Sequence, residues 1–244
     1  MSDEPLEMKN EQGGGGEMSL VDHLQELRRR LIVCIAVVLV ASSGCYFYAE
    51  ELLHMITAPA GKLYYLSPAE AFFTYLKVSV FAGFLLALPV VFYQLWAFVV
   101  PALTRQERKA SLYLVPASLL LFLIGLAFAY FLVLPAAVAF FIGFSTPDLQ
   151  PMFSIAQYLS FVISFVLPFG FVFELPLFIM VAAKLGVIGS AFLAAKRKVV
   201  IVLAFVVGAV ISPTPDIFSQ TMIAVPLLVL YEASIFIVKH VLRK

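Results

Sequence analysis

Charge is scarce in this 244-residue chain: 13% of its residues are Asp, Glu, Lys or Arg, where a soluble domain carries about 25%. The deficit excludes an ordinary water-soluble domain, because 63% of the residues are hydrophobic and a surface in water could not be covered by what remains. The net charge of +1 gives no reason to expect nucleic acid as a partner. Cysteine is nearly absent. Cys34 and Cys45 fall on one apolar segment, roughly 16 Å apart along a helix, which is too far for a disulfide. Both read as small apolar fillers. Three histidines, His23, His54 and His240, lie near segment ends and form no metal-ligand spacing, so neither metal nor other cofactor is expected. No cleavable leader is expected in residues 1–18, which are polar and acidic with a run of four glycines and hold no basic stretch before a short apolar core. The expectation is a disordered polar tail over 1–18, followed by a single membrane domain over 19–244.

What the chain has in abundance is long apolar runs. A helix needs about 20 apolar residues to cross roughly 30 Å of hydrocarbon. Candidate spans are Leu31–Tyr48, Ala71–Val100, Ser111–Phe144, Ser154–Ala183, Val199–Ile211 and Ile217–Val238. They predict an all-α membrane protein with six transmembrane helices, the fifth and sixth of them short. The second, third and fourth are long enough to require tilting or bending. Pro89, Pro116, Pro135, Pro168, Pro176 and Pro226 fall within the runs. Each removes a backbone donor and tends to kink a helix, so kinked helices around a concave groove are expected. The connection Glu50–Glu70 is the largest hydrophilic one and is expected to form short interfacial helices.

The basic residues are sorted by loop. Lys9, Arg28, Arg29, Arg30, Arg105, Arg108, Lys109, Lys184, Lys196, Arg197, Lys198, Lys239, Arg243 and Lys244 fall on one side of the predicted spans, and Lys62 and Lys77 on the other. This bias predicts that both termini are cytoplasmic.

Four polar features interrupt the apolar pattern. Ser19–Leu31 reads as an amphipathic entry helix, capped by Ser19 with Asp22 as an acidic capping-box partner. Leu20, Leu24, Leu27 and Leu31 make its apolar stripe, while His23, Glu26 and Arg30 lie on another face. After the second span, Tyr93 and Trp96 suit a membrane interface, and Glu107 is an acid among Arg105, Arg108 and Lys109. Glu174 lies within the apolar run Phe171–Met180 with no basic neighbour in its own helix. An acid at that depth costs at least about 2.5 kcal/mol on insertion, so it must face protein or water. Gln220 and Thr221, early in the sixth run, are a second polar intrusion suited to meeting another helix.

Taken in order, the patches His23–Leu31, Tyr93–Phe98 with Pro101-Ala-Leu103, Phe173–Pro176 and Ser212–Thr221 resemble the motifs of the TatC family, the multispanning component of the twin-arginine protein translocase. The likeness runs from about residue 19 to the C-terminus. It implies a receptor and scaffold without catalytic chemistry, in a bacterial inner membrane, for signal peptides of folded cargo. Acids matching Glu26 and Glu107 would recognise the paired arginines, since a guanidinium makes paired hydrogen bonds to a carboxylate. Phe98, Leu24 and Arg28 belong to the same implied binding patch. Glu174 would face the groove and engage TatA/TatB-type single-span subunits. Asp216, Ser219, Gln220 and Thr221 match the region where a partner helix is expected to dock. Self-association in a larger complex is implied as well. The alternative from the residues themselves is a small-solute or proton-coupled transporter with Glu174 as a relay acid. An intramembrane serine protease lacks a histidine at depth, and a metal hydrolase lacks ligands.

Overall fold

In a computed structural model, residues 20–58, 63–99, 111–148, 150–212 and 214–240 are described. They are helical almost throughout, as expected where lipid offers the backbone no hydrogen bonds and each helix must satisfy its own. The helices are α1 (Leu20–Cys45), α2 (Ala49–Thr57), α3 (Pro68–Val99), α4 (Ser111–Phe128), α5 (Leu134–Ile142), α6 (Ile155–Phe173), α7 (Leu175–Lys184), α8 (Ser190–Ala195), α9 (Arg197–Ile211) and α10 (Ile217–His240). No strand forms among the described residues. The proposed polar tail 1–18, the capping residue Ser19 and Glu107 lie outside them.

Five stretches are long and apolar enough to cross a membrane: His23–Thr57, Pro68–Val99, Tyr113–Ile142, Ile155–Lys184 and Ile217–His240. The expectation of a short sixth span is corrected here. With 24 residues α10 continues through Pro226 without a break. α9 is the short one: its 15 residues make about 22 Å of helix.

The prolines act unequally. Pro89, Pro116, Pro168 and Pro226 sit inside unbroken helices. Interruptions occur at the other two. Before Pro135 the chain takes a π-helical turn over Ala129–Val133, with the Leu134 N–H donating to the Ala129 carbonyl. Before Pro176, α6 ends and α7 begins at Glu174. In both places the missing N–H leaves a carbonyl that the chain accommodates by changing helix geometry.

The main core is aromatic and centred on α4 and α6. Phe122, Phe165 and Phe169 are fully buried, and Phe122 meets Phe92 and Phe171 edge-on at 5.7 and 5.2 Å. Small residues let backbones approach: a Cβ on Gly125 would lie 2.5 Å from the Phe169 carbonyl oxygen, and one on Gly83 would lie 2.4 Å from Ser42 Cα. The second contact joins α1 to α3, the helix on which α1 chiefly packs. α9 lies against the first half of α10, where Gly208 approaches the Gln220 carbonyl. The second half of α10 packs on α7 and α8 through Ala183, Leu193, Tyr231 and Val238.

The connection before α3 carries α2, an expected short helix, and a tether. Tyr64 exchanges backbone bonds with the segment entering α6: its N–H donates to the Phe153 carbonyl (3.1 Å) and its carbonyl accepts from Ile155 (2.8 Å). The Glu70 carboxylate completes the staple, accepting from the Ser154 hydroxyl, the Ala156 N–H (3.1 Å) and the Leu66 N–H (2.6 Å). Lys77, assigned from sequence to a loop side, lies inside α3, where its ammonium donates to Ser160 at 2.9 Å.

Candidate functional site

The entry end of α1 bears on the last turns of α3 through two side-chain contacts. One is an i,i+4 pair on α1, in which Arg30 Nε donates to Glu26 Oε1 at 3.0 Å and Nη2 reaches the same oxygen. Arg30 Nη1 then extends to Gln94 Oε1 on α3, also at 3.0 Å. The other is a stack of His23 on Phe98, 4.2 Å between ring centroids. A cavity of about 280 Å³ opens at the first contact, lined by Glu26, Arg29, Arg30, Val33 and Gln94. The Glu26 side chain keeps 25% exposure, and Arg30 uses only its Oε1, leaving Oε2 for another donor. The face expected from helical periodicity to carry His23, Glu26 and Arg30 is therefore the face against α3. Leu24 and Arg28 are exposed and do not line this cavity. Sequence reasoning missed Gln94. Its signal was a lone amide four residues before Phe98, hence on the same helical face.

Glu174 lies elsewhere, at the break between α6 and α7. It is 1% exposed, and neither carboxyl oxygen finds a hydrogen-bond partner. Sequence required this acid to face protein or water, and its burial by the protein removes a costly carboxyl from lipid. Near it lies the hydroxyl of Ser118, fully buried on α4. That hydroxyl accepts from Trp96 Nε1 at 2.8 Å. Trp96 is 1% exposed and stacks on Phe178 of α7 at 5.5 Å, so its ring meets protein. The buried hydroxyl satisfies the indole N–H that would otherwise favour water. Tyr93 is exposed.

The third group of expected residues sits at the corner before α10. Asp216 caps that helix, its Oδ1 accepting from the Ser219 N–H at 2.7 Å. Thr214 Oγ1 donates to the buried Ser219 hydroxyl at 3.0 Å, and Thr221 bonds back to the Ile217 carbonyl. Partial burial pushes the Asp216 carboxyl up, but hydrogen bonds from Thr214 and Ser219 outweigh it and hold the group below its ordinary value. Gln220 is half-buried, and its carbonyl oxygen is the atom that Gly208 of α9 approaches. These four residues are brought together, and three of them are spent on building the corner. Among the described residues, no group of three or more His, Cys, Asp or Glu side chains could hold a metal ion.

The model of the Sec-independent protein translocase protein family, TatC, matches residues 22–226. The chain belongs to the TatC family. It is 43% identical to the Sec-independent protein translocase protein TatC of Magnetococcus marinus, covering 92% of this chain and 85% of that one. To the TatC of Escherichia coli strain K12 it is 39% identical, covering 89% and 86%. A crystal structure of a twin-arginine translocase receptor TatC superposes with a TM-score of 0.80 at 43% identity, over 89% of this chain and 98% of that one. The chain is thus a membrane-embedded translocase component, and its family is one of translocase subunits rather than enzymes. The matched span contains every described site residue named above, including Gln94, Trp96 and Ser118.

Proposed function

We propose that this TatC-family chain is the receptor for twin-arginine signal peptides and the scaffold of a translocase that exports folded proteins. The observation that carries the reading is the α1–α3 face: a half-buried carboxylate with one free oxygen, held by an intramolecular guanidinium, on the helix pair that also carries the His23–Phe98 stack. The Arg30–Glu26 pair supports a site that accepts a guanidinium. An incoming arginine would take Glu26 Oε2 or displace Arg30 from Oε1, and its partner arginine would go to Glu107. Reduced water at this interface strengthens the pairing over its value in bulk solvent. Leu24 and Arg28, exposed beside the site, would meet the rest of the peptide.

The same reading supplies the topology. α9 crosses as a short sixth span, with the bilayer thinned around it, so both termini lie in the cytoplasm of a bacterial inner-membrane protein. Residues 19–244 act as one domain beneath a polar tail of 1–18. The bent helices α4–α5 and α6–α7 shape the concave side. TatA/TatB-type subunits dock there and along the α10 corner at Asp216, Ser219, Gln220 and Thr221, in a complex containing further copies of this chain. Nothing in the comparisons favours a small-solute transporter.

Site-specific crosslinking in membranes tests the receptor reading. A signal peptide carrying Arg-Arg is expected to crosslink to probes near Glu26, Phe98 and Glu107, and the Lys-Lys peptide to crosslink much less, because lysine keeps the charge and loses the paired geometry. Equal crosslinking by both peptides would refute it.

A further inference from the structure

The last two turns of α3 touch both the receptor face and the buried acid. Gln94 and Phe98 are four residues apart and share the side facing α1, where they hold Arg30 and His23. Trp96 lies two residues from each and projects to the other side of the helix. There its indole N–H donates to Ser118 and its ring stacks on Phe178. Ser118 is the hydroxyl beside Glu174, and Glu174 is the residue at which α6 gives way to α7, the helix carrying Phe178. A short, rigid piece of helix therefore joins the two sites through two hydrogen bonds, Arg30–Gln94 and Trp96–Ser118, and the approach of Ser118 to Glu174.

An indole N–H can only donate, whereas a serine hydroxyl both accepts and donates. With Ser118 accepting from Trp96, its own proton remains available to an acceptor. Glu174 is such an acceptor, and it is orphaned: two carboxyl oxygens buried without a partner within hydrogen-bonding distance. A buried polar group in that condition is destabilised, so a small displacement that brings a donor to it is favoured. Packed interiors respond to such displacements by switching between discrete arrangements rather than by deforming continuously.

We propose that Trp96 and Ser118 are positioning residues that transmit occupancy of the α1–α3 receptor face to the Glu174 carboxyl and the α6–α7 break. A signal-peptide arginine that draws Arg30 off Glu26 or Gln94 shifts the end of α3. Trp96 moves with it, the Trp96–Ser118 bond rearranges, and a donor is delivered to Glu174. The inference rests on the receptor reading above and adds to it a route by which the bound state is felt inside the membrane.

Trp96 is the single tryptophan of the chain, so it reports on itself. The full-length protein in lipid vesicles would be titrated with a tryptophan-free Arg-Arg signal peptide. Binding would be read by calorimetry and the rearrangement by indole emission. Emission is expected to change saturably, with the same midpoint as binding, and to stay constant with the Lys-Lys peptide. Ser118→Ala is expected still to bind the Arg-Arg peptide, more weakly by no more than the coupling itself contributes, and to lose the emission response. Glu174→Gln, which preserves side-chain shape, is expected to alter resting emission and reduce the response. Binding without any emission change in the wild-type protein would overturn the coupling while leaving the receptor intact. An undiminished response in Ser118→Ala would overturn it also. Absence of Arg-Arg binding would overturn the receptor reading itself, and the coupling with it.

Discussion

Replacing Gly83 with alanine isolates the contact that holds α1 to the rest of the protein. The added Cβ would stand 2.4 Å from both the Cα and the N of Ser42, where ordinary contacts begin at 3.4 Å. The obstruction is backbone, so no rotamer change relieves it, and α1 and α3 must part by about 1 Å. Overpacking of this kind costs about 1–3 kcal/mol, which lowers the folded-to-unfolded ratio by a factor of roughly 5 to 150. α1 has little else to lean on. The assay is unfolding in mixed micelles with increasing SDS, comparing Gly83→Ala with Gly44→Ala. Gly44 has nothing within 4 Å of its Cβ position, so alanine there should be neutral or stabilising by up to about 1 kcal/mol, as in an ordinary helix interior. Ser42 lies roughly 24 Å along α1 from Glu26. Peptide affinity should therefore hold in Gly83→Ala while stability falls. Equal stability of the two variants would refute the close approach of α1 and α3.

Three further outcomes are expected. Glu70→Gln keeps the shape of the staple but loses the charge that Ser154 and the Ala156 and Leu66 amides bind; proteolysis of the connection before α3 should accelerate with peptide binding unchanged, and identical cleavage rates would count against a staple. Asp216 is held below its ordinary value in the folded protein. Its contribution is therefore present above the unfolded value near 4 and is lost as pH falls through the lower folded value. Hydrogen exchange at the start of α10 should rise over that acid window in the wild type and be already raised, without the pH dependence, in Asp216→Asn. Arg197→Ala breaks the ion pair with Glu232, but both side chains are about half exposed, so stability should change by less than about 1 kcal/mol; a larger loss in the same SDS titration would contradict that assignment.

The legible parts of this protein are those that a contiguous stretch of sequence decides. Insertion depends on the summed apolarity of about 20 neighbouring residues, so the long helices appeared where the runs predicted them. The i,i+4 pairing of Glu26 with Arg30 follows from helical geometry alone. So does the identification of Glu174 as a residue that protein must shelter. Proline content, by contrast, marked six positions, and helical continuity is interrupted before two of them, Pro135 and Pro176, and kept through the other four. What only the tertiary structure decided is which distant polar groups meet. Gln94 takes Arg30, Ser118 takes Trp96, Ser160 takes Lys77 and Ser154 takes Glu70, across separations of 64, 22, 83 and 84 residues. None of these pairs has a local signature. Each arises because the packing of α1, α3, α4 and α6 brings the two groups within reach, and for the buried Trp96–Ser118 pair no water competes.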